Sequence, residues 1–163
     1  MTPVALSFGG NLGEPVETIQ KAIEYLRRKG ILHQLIVSSF YRTAPWGGAS
    51  GDEYINAVVV GNTSFTPDQI LVVTQRLETR AGRVRTGEQY APRPLDIDIL
   101  TFGWLIVESD SLTLPHPRLR ERRFVLEPFC EIAPEWAIPP DMVSVKTLVQ
   151  HCDDPLPVVK WNG

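Results

Sequence analysis

The sequence predicts an α+β fold, a ferredoxin-like antiparallel sheet in the order βαββαβ with helices on one face, followed by a hairpin and further short helices. Two observations support this class. Strand-like and helix-like periodicities follow one another in that order without a repeated strand–helix unit, which disfavours a doubly wound parallel sheet. The 163 residues, 43% hydrophobic and 21% charged, contain no linker or internal repeat. We therefore expect residues 1–163 to form a single domain.

The first half of this order is marked by changes of period. Residues 3–8 form a short apolar run that stops at the sequence GGNLG. Pro15 suits a first helical turn, and Gly30 suits the position that follows a last turn. Between them apolar residues recur at spacings of three and four: Val16, Ile19, Ile23 and Leu26. Residues 35–42 and 54–60, rich in β-branched and aromatic residues, predict the next two strands.

A second helix and a fourth strand complete the order. Thr66, Pro67 and Gln69 form a capping box with proline in the first turn, and Gly82 marks the end of the helix. Residues 95–102 alternate in the manner of a strand. The predicted apolar face of the helix consists of Ile70, Val73, Leu77 and Ala81.

The remainder of the chain predicts smaller elements. Residues 104–117 resemble a two-stranded hairpin, residues 118–130 are predicted to be helical, and residues 144–151 predict one more short helix. Prolines cluster in the late segments IAPEWAIPPD and DDPLPVV. This clustering predicts an irregular C-terminal wrap.

Charge and composition exclude several classes of protein. The net charge of −3 disfavours a surface that is basic all round, so we expect no nucleic-acid partner. The N-terminus lacks the pattern of a signal peptide, and no apolar run approaches the ~20 residues of a membrane span. Two widely separated cysteines suggest neither a disulfide framework nor a zinc site. A cytoplasmic protein without a membrane partner is therefore expected.

Two aspartates one residue apart lie in the last predicted strand. Because side chains alternate along a strand, Asp96 and Asp98 share one face, with Cα atoms roughly 7 Å apart. Two partly buried carboxylates at this distance repel each other and lose hydration, so a cation is expected beside them. Carboxylate oxygens suit Mg²⁺, and two such ions would serve a phosphoryl displacement. The alternative is that both aspartates face solvent and pair with surface arginines.

Half of the sixteen basic residues flank this pair in two groups. Arginine offers a planar, permanently charged donor fork that suits phosphate oxygens, so a polyphosphate with Mg²⁺ satisfies both signs of charge. For the second group the alternative is a solvated helix face, and we expect about two of its members to serve only in ion pairs. The groups are Arg80, Arg83, Arg85 and Arg93, and then Arg118, Arg120, Arg122 and Arg123.

Three further features are open to two interpretations. GGNLG lacks the lysine of a P-loop, so we predict a turn that caps the first helix. His116 would contact a phosphate or fix a turn. Tyr54 and Asn56 share a strand face and Phe124 follows the second arginine group, so they would hold a flat heterocycle or belong to the core.

Six motifs in order resemble the 6-hydroxymethyl-7,8-dihydropterin pyrophosphokinase family: SSFYRTAP, YINAVV, GRVR, PRPLDIDIL, LPHPR and RRFVLEP. The similarity covers nearly the whole chain, and PRPLDIDIL is its most specific element. The resemblance implies a ferredoxin-like fold. It also implies transfer of the β,γ-diphosphate of ATP to the pterin hydroxymethyl group in folate biosynthesis, with release of AMP, two Mg²⁺ ions, and a monomer.

The resemblance also implies roles for individual residues. Asp96 and Asp98 would hold both Mg²⁺ ions, and Asp98 or a metal-bound water would assist deprotonation. The phosphate-binding arginines would be Arg83, Arg85, Arg93 and Arg122, of which Arg83 and Arg93 count with the two aspartates as catalytic. The other nucleotide contacts would come from Gln75, Ile99, Leu112, Thr113 and His116. The pterin contacts would come from Thr43, Pro45, Trp46, Tyr54, Asn56, Asp96 and Phe124.

The chain departs from the family pattern in the arginine loop, where Thr86, Gln89 and Tyr90 replace a basic residue and a tryptophan, and at Pro117, where an aromatic is common. Two other classes remain as alternatives. A nucleotidyltransferase also uses paired aspartates on a strand, but its Gly-Ser turn lies closer to them. An RNA-binding ferredoxin-like module would require the aromatic RNP motif, which is missing.

Overall fold

The computed structural model describes residues 1–44, 52–83 and 92–163. In chain order the elements are β1 (Thr2–Gly10), α1 (Pro15–Arg28), β2 (His33–Val37), β3 (Tyr41–Thr43), β4 (Tyr54–Thr63), α2 (Pro67–Arg80), β5 (Asp96–Phe102), β6 (Val107–Glu108), β7 (Thr113–Leu114), a 3₁₀ turn (Leu119–Glu121), α3 (Arg123–Ile132), β8 (Ala137–Ile138), β9 (Val143–Ser144), α4 (Val145–Gln150) and β10 (Val158–Lys160). Within these residues no helix combines the length and apolar character that a membrane span requires.

The main sheet is antiparallel and its register brings polar residues of different strands together. Its order is β10-β3-β4-β1-β5, and β2 also pairs with β4. Gly9 in the middle strand lies opposite Asn56 on one side and Asp96 on the other. Because residues directly opposite each other share a face, Asn56, Gly9 and Asp96 form one row across three strands. This row becomes the floor of the candidate site.

Helices cover both faces of the sheet. α1 and α2 bury one face through a core of aliphatic and aromatic side chains, which confirms the predicted packing of the βαββαβ unit. The opposite face packs against α3 and α4, mainly through Val125, Leu126, Phe129 and Val145. α3 and α4 do not cover the starts of β4 and β5. Asn56 and Asp96 lie there, and they form the polar part of this second face.

The two predicted helices of the βαββαβ unit are confirmed, including their boundaries. In α1 the buried residues are Ile19, Ala22, Ile23 and Leu26. The capping box of α2 is complete, because the Thr66 hydroxyl accepts from the Gln69 amide at 3.2 Å and the Gln69 side chain accepts from the Thr66 amide at 2.9 Å. Gly30 and Gly82 follow the two helices with φ of 65° and 99°.

The prediction of one strand over residues 35–42 is wrong, because the chain breaks between β2 and β3. Ser38 meets Val58 through both backbone and side chain: its amide donates to the Val58 carbonyl at 2.9 Å, and its hydroxyl accepts from the Val58 amide at 2.9 Å. Residues 38–40 lie between β2 and β3. The β4 partners of the flanking residues, Val59 and Asn56, are separated by only two residues. This is the geometry of a β-bulge, which adds a residue to one strand and bends it.

Two C-terminal predictions also need correction. The helix expected over residues 118–130 begins only at Arg123, because Arg122 is extended and a 3₁₀ turn precedes it. The expected irregular wrap contains the β8–β9 hairpin, and β10 joins the main sheet beside β3. The β6–β7 hairpin and the last helix, α4, are confirmed.

Gly10 at the end of β1 sits against the backbone that precedes β5. A Cβ atom at this position would lie 2.4 Å from the Pro94 carbonyl oxygen, whereas a Cβ at Gly9 would lie 3.1 Å from the Asn56 side-chain oxygen. Backbone cannot move aside as a side chain can. The absence of a side chain at Gly10 therefore lets β1 approach the start of β5.

We expect Gly10→Ala to lower the free energy of unfolding by about 1–3 kcal/mol because β1 and residue 94 must separate. Gly9→Ala is the matched comparison, and its effect should be smaller since its contact is with a side chain. Urea unfolding of the three proteins measures both effects. Equal stability of wild type and Gly10→Ala would contradict this account of the close approach.

Glu131 on α3 connects the second helical layer to the break between β2 and β3. Its carboxylate accepts hydrogen bonds from the Ser39 amide (2.8 Å), the Ser39 hydroxyl (2.6 Å) and the Tyr41 hydroxyl (3.1 Å). Lys160 of β10 lies 3.5 Å away. Burial acts to raise the pKa of Glu131, but these hydrogen bonds outweigh it and hold that pKa below its ordinary value.

Replacing Glu131 by alanine should cost about 1–3 kcal/mol of unfolding free energy, because Ser39 and Tyr41 lose their acceptor. The pKa of Glu131 is lowered by folding, so the carboxylate's contribution is complete above the ordinary value of 4.5 and is lost as pH falls through the folded value. The difference in unfolding free energy between wild type and Glu131→Ala, measured by urea unfolding, should therefore become smaller at acidic pH. The exposed Glu135 supplies a control, since Glu135→Ala should change stability by less than about 0.5 kcal/mol at any pH.

Candidate active site

The predicted carboxylate pair lies on β5 with both side chains on one face. Asp96 and Asp98 each retain 30% side-chain exposure, and the intervening Ile97 is buried in the core on the other face. The prediction that Asp96 and Asp98 share one face of the strand is thereby confirmed. The two carboxylates sit where the second helical layer leaves the sheet open.

Two arginines bind the first carboxylate. The Arg83 guanidinium donates to Asp96 at 3.0 Å and to Glu78 at 2.8 Å, so one side chain bridges two acids. An Arg93 Nη1 atom lies 3.5 Å from the same Asp96 oxygen. Both arginines are mostly buried, so their charges act through a medium that screens less than water.

The second carboxylate is less fully compensated. The nearest cationic atom on Arg122 lies 3.8 Å from Asp98 Oδ2, and Nε2 of His116 lies 3.6 Å from it. Burial raises the pKa of Asp98 to about 7, and the negative charge of Asp96 adds to this effect while Arg122 opposes it. The site therefore favours an additional positive charge beside Asp98.

His116 is a neutral hydrogen-bond donor in this site. Burial lowers its pKa to about 4, and the charge of Arg122 acts in the same direction. Its Nδ1 atom accepts from the Arg118 amide at 3.1 Å. In the neutral ring the proton is therefore on Nε2, which faces Asp98. The interpretation that His116 fixes a turn is confirmed by the Nδ1 contact, whereas contact of its other ring nitrogen with a phosphate stays a prediction.

Glu78 is a site residue that sequence analysis did not assign. It is buried on α2 and accepts from the Ile97 amide at 2.9 Å as well as from Arg83. Burial raises its pKa to about 7, with Asp96 as a further cause. The sequence carried one signal, since Ile70, Thr74 and Glu78 continue a single helical face at spacings of four.

The GGNLG segment does not cap α1, so that prediction is wrong. The residue at the N-cap position is Glu14, whose side chain makes no capping bond. Asn11 instead holds the backbone of Arg93. Its side-chain oxygen accepts from the Arg93 backbone amide at 2.9 Å, and its own backbone amide donates to the Arg93 carbonyl at 3.0 Å. Gly9 and Gly10 end β1 and the rest of the segment leads to α1, so the segment positions an arginine of the proposed site instead of capping a helix.

A polar and aromatic group adjoins the carboxylates at the start of β4. Asn56 is buried and donates to the Thr43 hydroxyl at 2.8 Å. Tyr54 is half-buried, and burial raises the pKa of its hydroxyl while the charges of Arg93 and Asp96 act on it in opposite directions. On the other side, the Arg122 guanidinium lies 5.6 Å from the centre of the Phe124 ring.

Other predicted residues lie elsewhere or outside the described part. The side chain of Ile99 is buried in the core on the opposite face, so it can reach a ligand only through its backbone. Gln75 lies in an exposed depression along α2 together with Val72 and Thr79. Leu112 and Thr113 belong to the hairpin beside β5. Pro45, Trp46, Arg85, Thr86, Gln89 and Tyr90 lie outside the described residues.

Two of the four arginines in the second group serve structural ion pairs, as expected. Arg120 donates to both oxygens of Asp141, at 3.0 and 2.6 Å. Arg123 donates to the Glu127 carboxylate at 3.2 Å. Arg122 is therefore the member of this group whose contact with the Asp98 carboxylate the structure describes.

The donor set fits a hard divalent cation. Asp96 and Asp98 offer carboxylate oxygens, and burial, with the charge of Asp96 as the second cause, raises the pKa of Asp98, so a cation beside it would stabilise its ionised form. Among residues 1–44, 52–83 and 92–163, no cluster of three His, Cys, Asp or Glu side chains has a metal-binding arrangement. Two carboxylates nevertheless suit Mg²⁺, which keeps several waters and takes further oxygens from phosphates.

Comparison with known proteins identifies relatives over most of the chain. The family model described as 7,8-dihydro-6-hydroxymethylpterin-pyrophosphokinase (HPPK) matches residues 5–134. A 2-amino-4-hydroxy-6-hydroxymethyldihydropteridine pyrophosphokinase of Haemophilus influenzae is 33% identical over 153 residues, 94% of this chain and 95% of the relative. The protein of the same name from Porphyromonas gingivalis is 39% identical over 142 residues, 85% and 95% of the two chains.

Solved structures confirm the fold class. The wild-type HPPK-DHPS of Plasmodium falciparum with pteroate superimposes with a TM-score of 0.70 at 14% identity, over 91% of this chain. The chain spans 44% of the length of that larger protein. At this identity the likeness shows the ferredoxin-like fold alone. The family match and the two relatives above 30% identity show more: the chain belongs to the 7,8-dihydro-6-hydroxymethylpterin pyrophosphokinase family.

Proposed function

We propose that this protein transfers the β,γ-diphosphate of ATP to the hydroxymethyl group of 6-hydroxymethyl-7,8-dihydropterin, with Mg²⁺ bound by Asp96 and Asp98. Family membership makes it a pyrophosphokinase of folate biosynthesis. The observation that carries the proposal is the convergence of Arg83, Arg93 and Arg122 on two adjacent carboxylates. A site that holds both signs of charge this close together suits a polyphosphate and its metal ions.

The arginines are proposed to bind the phosphates and stabilise charge that develops on their oxygens during transfer. Arg83 and Arg93 are held by Asp96 and by the Asn11 and Glu78 contacts, so little reorganisation is needed when the ligand binds. Arg85 is proposed as a further phosphate contact from the resemblance. Two Mg²⁺ ions on Asp96 and Asp98 would supply charge neutralisation and orient the phosphate oxygens.

The pterin is proposed to lie between Tyr54 and Phe124, on the polar side of the Asn56 and Asp96 row. A flat ring between two aromatic walls with an amide and a carboxylate at its edge combines apolar contact with few directional polar contacts. Thr43 holds the Asn56 amide in place, which orients its remaining hydrogen-bonding groups. Pro45 and Trp46 complete this set by resemblance.

The adenosine is proposed to lie along the outer edge of β5. His116, Leu112 and Thr113 flank this edge, and the His116 amide donates to the Leu100 carbonyl at 2.9 Å. Ile99 would contribute backbone groups, and Gln75 would contact the nucleotide from α2. His116, being neutral, would donate from Nε2 without adding charge. We further propose that the enzyme acts in the cytoplasm as a monomer.

Product analysis tests the proposed reaction. Protein, ATP, Mg²⁺ and the reduced pterin alcohol are mixed, and nucleotides are separated by ion-exchange chromatography. Formation of AMP together with the pterin diphosphate is the expected result, whereas release of inorganic pyrophosphate would indicate nucleotidyl transfer. Reactions without pterin or with EDTA serve as controls, and AMP formation that survives EDTA would contradict the role given to Mg²⁺.

Asp98→Ala should reduce turnover by at least about a hundredfold, because it removes a proposed metal ligand at the reacting phosphates. Pterin binding, followed by fluorescence titration, should survive because Tyr54, Asn56 and Phe124 remain. The exposed Asp110 provides a matched control: Asp110→Ala should keep wild-type turnover. Wild-type turnover in Asp98→Ala would remove this residue from the catalytic machinery.

A further inference from the structure

The start of α3 carries two residues of the proposed site. Arg122 occupies the N-cap position with extended backbone and approaches Asp98, and Phe124 lies in the first turn. Their side chains are near each other, with the guanidinium 5.6 Å from the ring centre. The exact position of this first turn therefore determines where both side chains lie.

A side chain distant in sequence caps this helix. The N-cap residue itself forms no side-chain capping bond. Instead the Asp154 carboxylate accepts from the Arg123 amide at 3.2 Å, and its second oxygen accepts from the Leu156 amide at 3.0 Å. A carboxylate at this position satisfies an amide that the helix leaves without an intrahelical acceptor, and its charge complements the helix dipole.

Arg123 strengthens the same connection from the helix side. Its Nε donates to the Asp154 carbonyl at 3.1 Å, and an Nη donates to the Cys152 carbonyl at 2.7 Å. Its other Nη contacts Glu127 one turn further along α3. Segment 152–156, which we term the capping segment, is thus joined to the first turn of α3 by three hydrogen bonds across about thirty residues of sequence.

The capping segment lies outside the part of the chain that the family model matches, which ends at residue 134. Its contacts nevertheless end on Arg123, the residue between Arg122 and Phe124: one on its amide and two on its side chain. A hydrogen bond to a charged acceptor is stronger than a neutral one and restricts geometry more. The capping segment is therefore placed to limit movement of the first turn relative to β5.

We propose that Asp154 is a positioning residue for the pyrophosphokinase reaction, which holds Arg122 and Phe124 in the geometry that the phosphates and the pterin require. This inference rests on the proposed function, because it uses the roles given there to Arg122 and Phe124. Asp154 does not touch the substrates. It acts through the first turn of α3.

The test compares three variants at a temperature where each is fully folded. Asp154→Ala removes the cap, Asp154→Asn keeps an acceptor oxygen, and Ser144→Ala removes the cap of α4, a helix to which no site residue is assigned. Asp154→Ala should lower kcat about tenfold, since displacement of positioned groups reduces rate steeply. Asp154→Asn should restore most of the rate, and Ser144→Ala should match wild type.

A double mutant separates positioning from general destabilisation. If Asp154 acts through Arg122 and Phe124, the Asp154→Ala change should have little further effect on kcat in a background that carries both Arg122→Ala and Phe124→Ala. The same tenfold loss in both backgrounds would overturn the inference, and so would wild-type kcat and KM in Asp154→Ala. An equal loss of rate in Ser144→Ala would also overturn it.

Hydrogen exchange supplies a readout that does not depend on turnover. Amides of residues 123–127 should exchange faster in Asp154→Ala than in Ser144→Ala, and exchange at the same rate would overturn the inference. Absence of AMP formation by the wild type would defeat the proposed function instead. Binding of a non-hydrolysable ATP analogue with Mg²⁺ then replaces kcat in the same comparison, with the same expected order of variants and the same contradicting outcomes.

Discussion

The repulsion between Asp96 and Asp98 is the constraint around which this molecule is organised. Two adjacent carboxylates on a recessed strand face are unfavourable unless positive charge is brought to them. Arg83 follows α2, Arg93 precedes β5, and Arg122 precedes α3, so each cation comes from the end or the approach of a different element. The sheet and both helical layers thus fix the relative positions of these charges, and buried Glu78 and neutral His116 adjust their balance.

The antiparallel sheet gives the site its floor because its register places Gly9 of β1 opposite both Asn56 of β4 and Asp96 of β5. Gly9 and Gly10 let β4 and β5 approach β1 with Asn56 and the carboxylates on one face. α1 and α2 then bury the opposite face, and the C-terminal helices cover only part of the polar one. The fold therefore combines a well-packed apolar core on one face of the sheet with an open polar edge on the other. Charged groups can lie near solvent at this edge without disturbing the packing of the core.

Periodicity predicts the regular elements well and fails where a side chain bonds to the backbone of a distant segment. The capping box at Thr66 and the alternation around Ile97 are local signals, and both predictions held. The break at Ser38 and the role of Asn11 depend on partners far along the chain, Val58 and Arg93, that no local pattern reveals. The carboxylates and arginines proposed for the site are predicted from charge clustering. Buried Glu78 was not assigned, because a lone acid on a helix is usually solvated.

The neutral state of His116 has a consequence for how the site responds to its surroundings. Guanidinium groups stay protonated throughout the physiological range, and the one imidazole at the carboxylates titrates far below it. A change of pH around neutrality therefore leaves the cationic side of the cavity unchanged. The carboxyl groups of Asp98 and Glu78, with pKa values of about 7, are the groups that change charge there, so mild acidification removes negative charge from the cavity and strengthens its attraction for an entering anion.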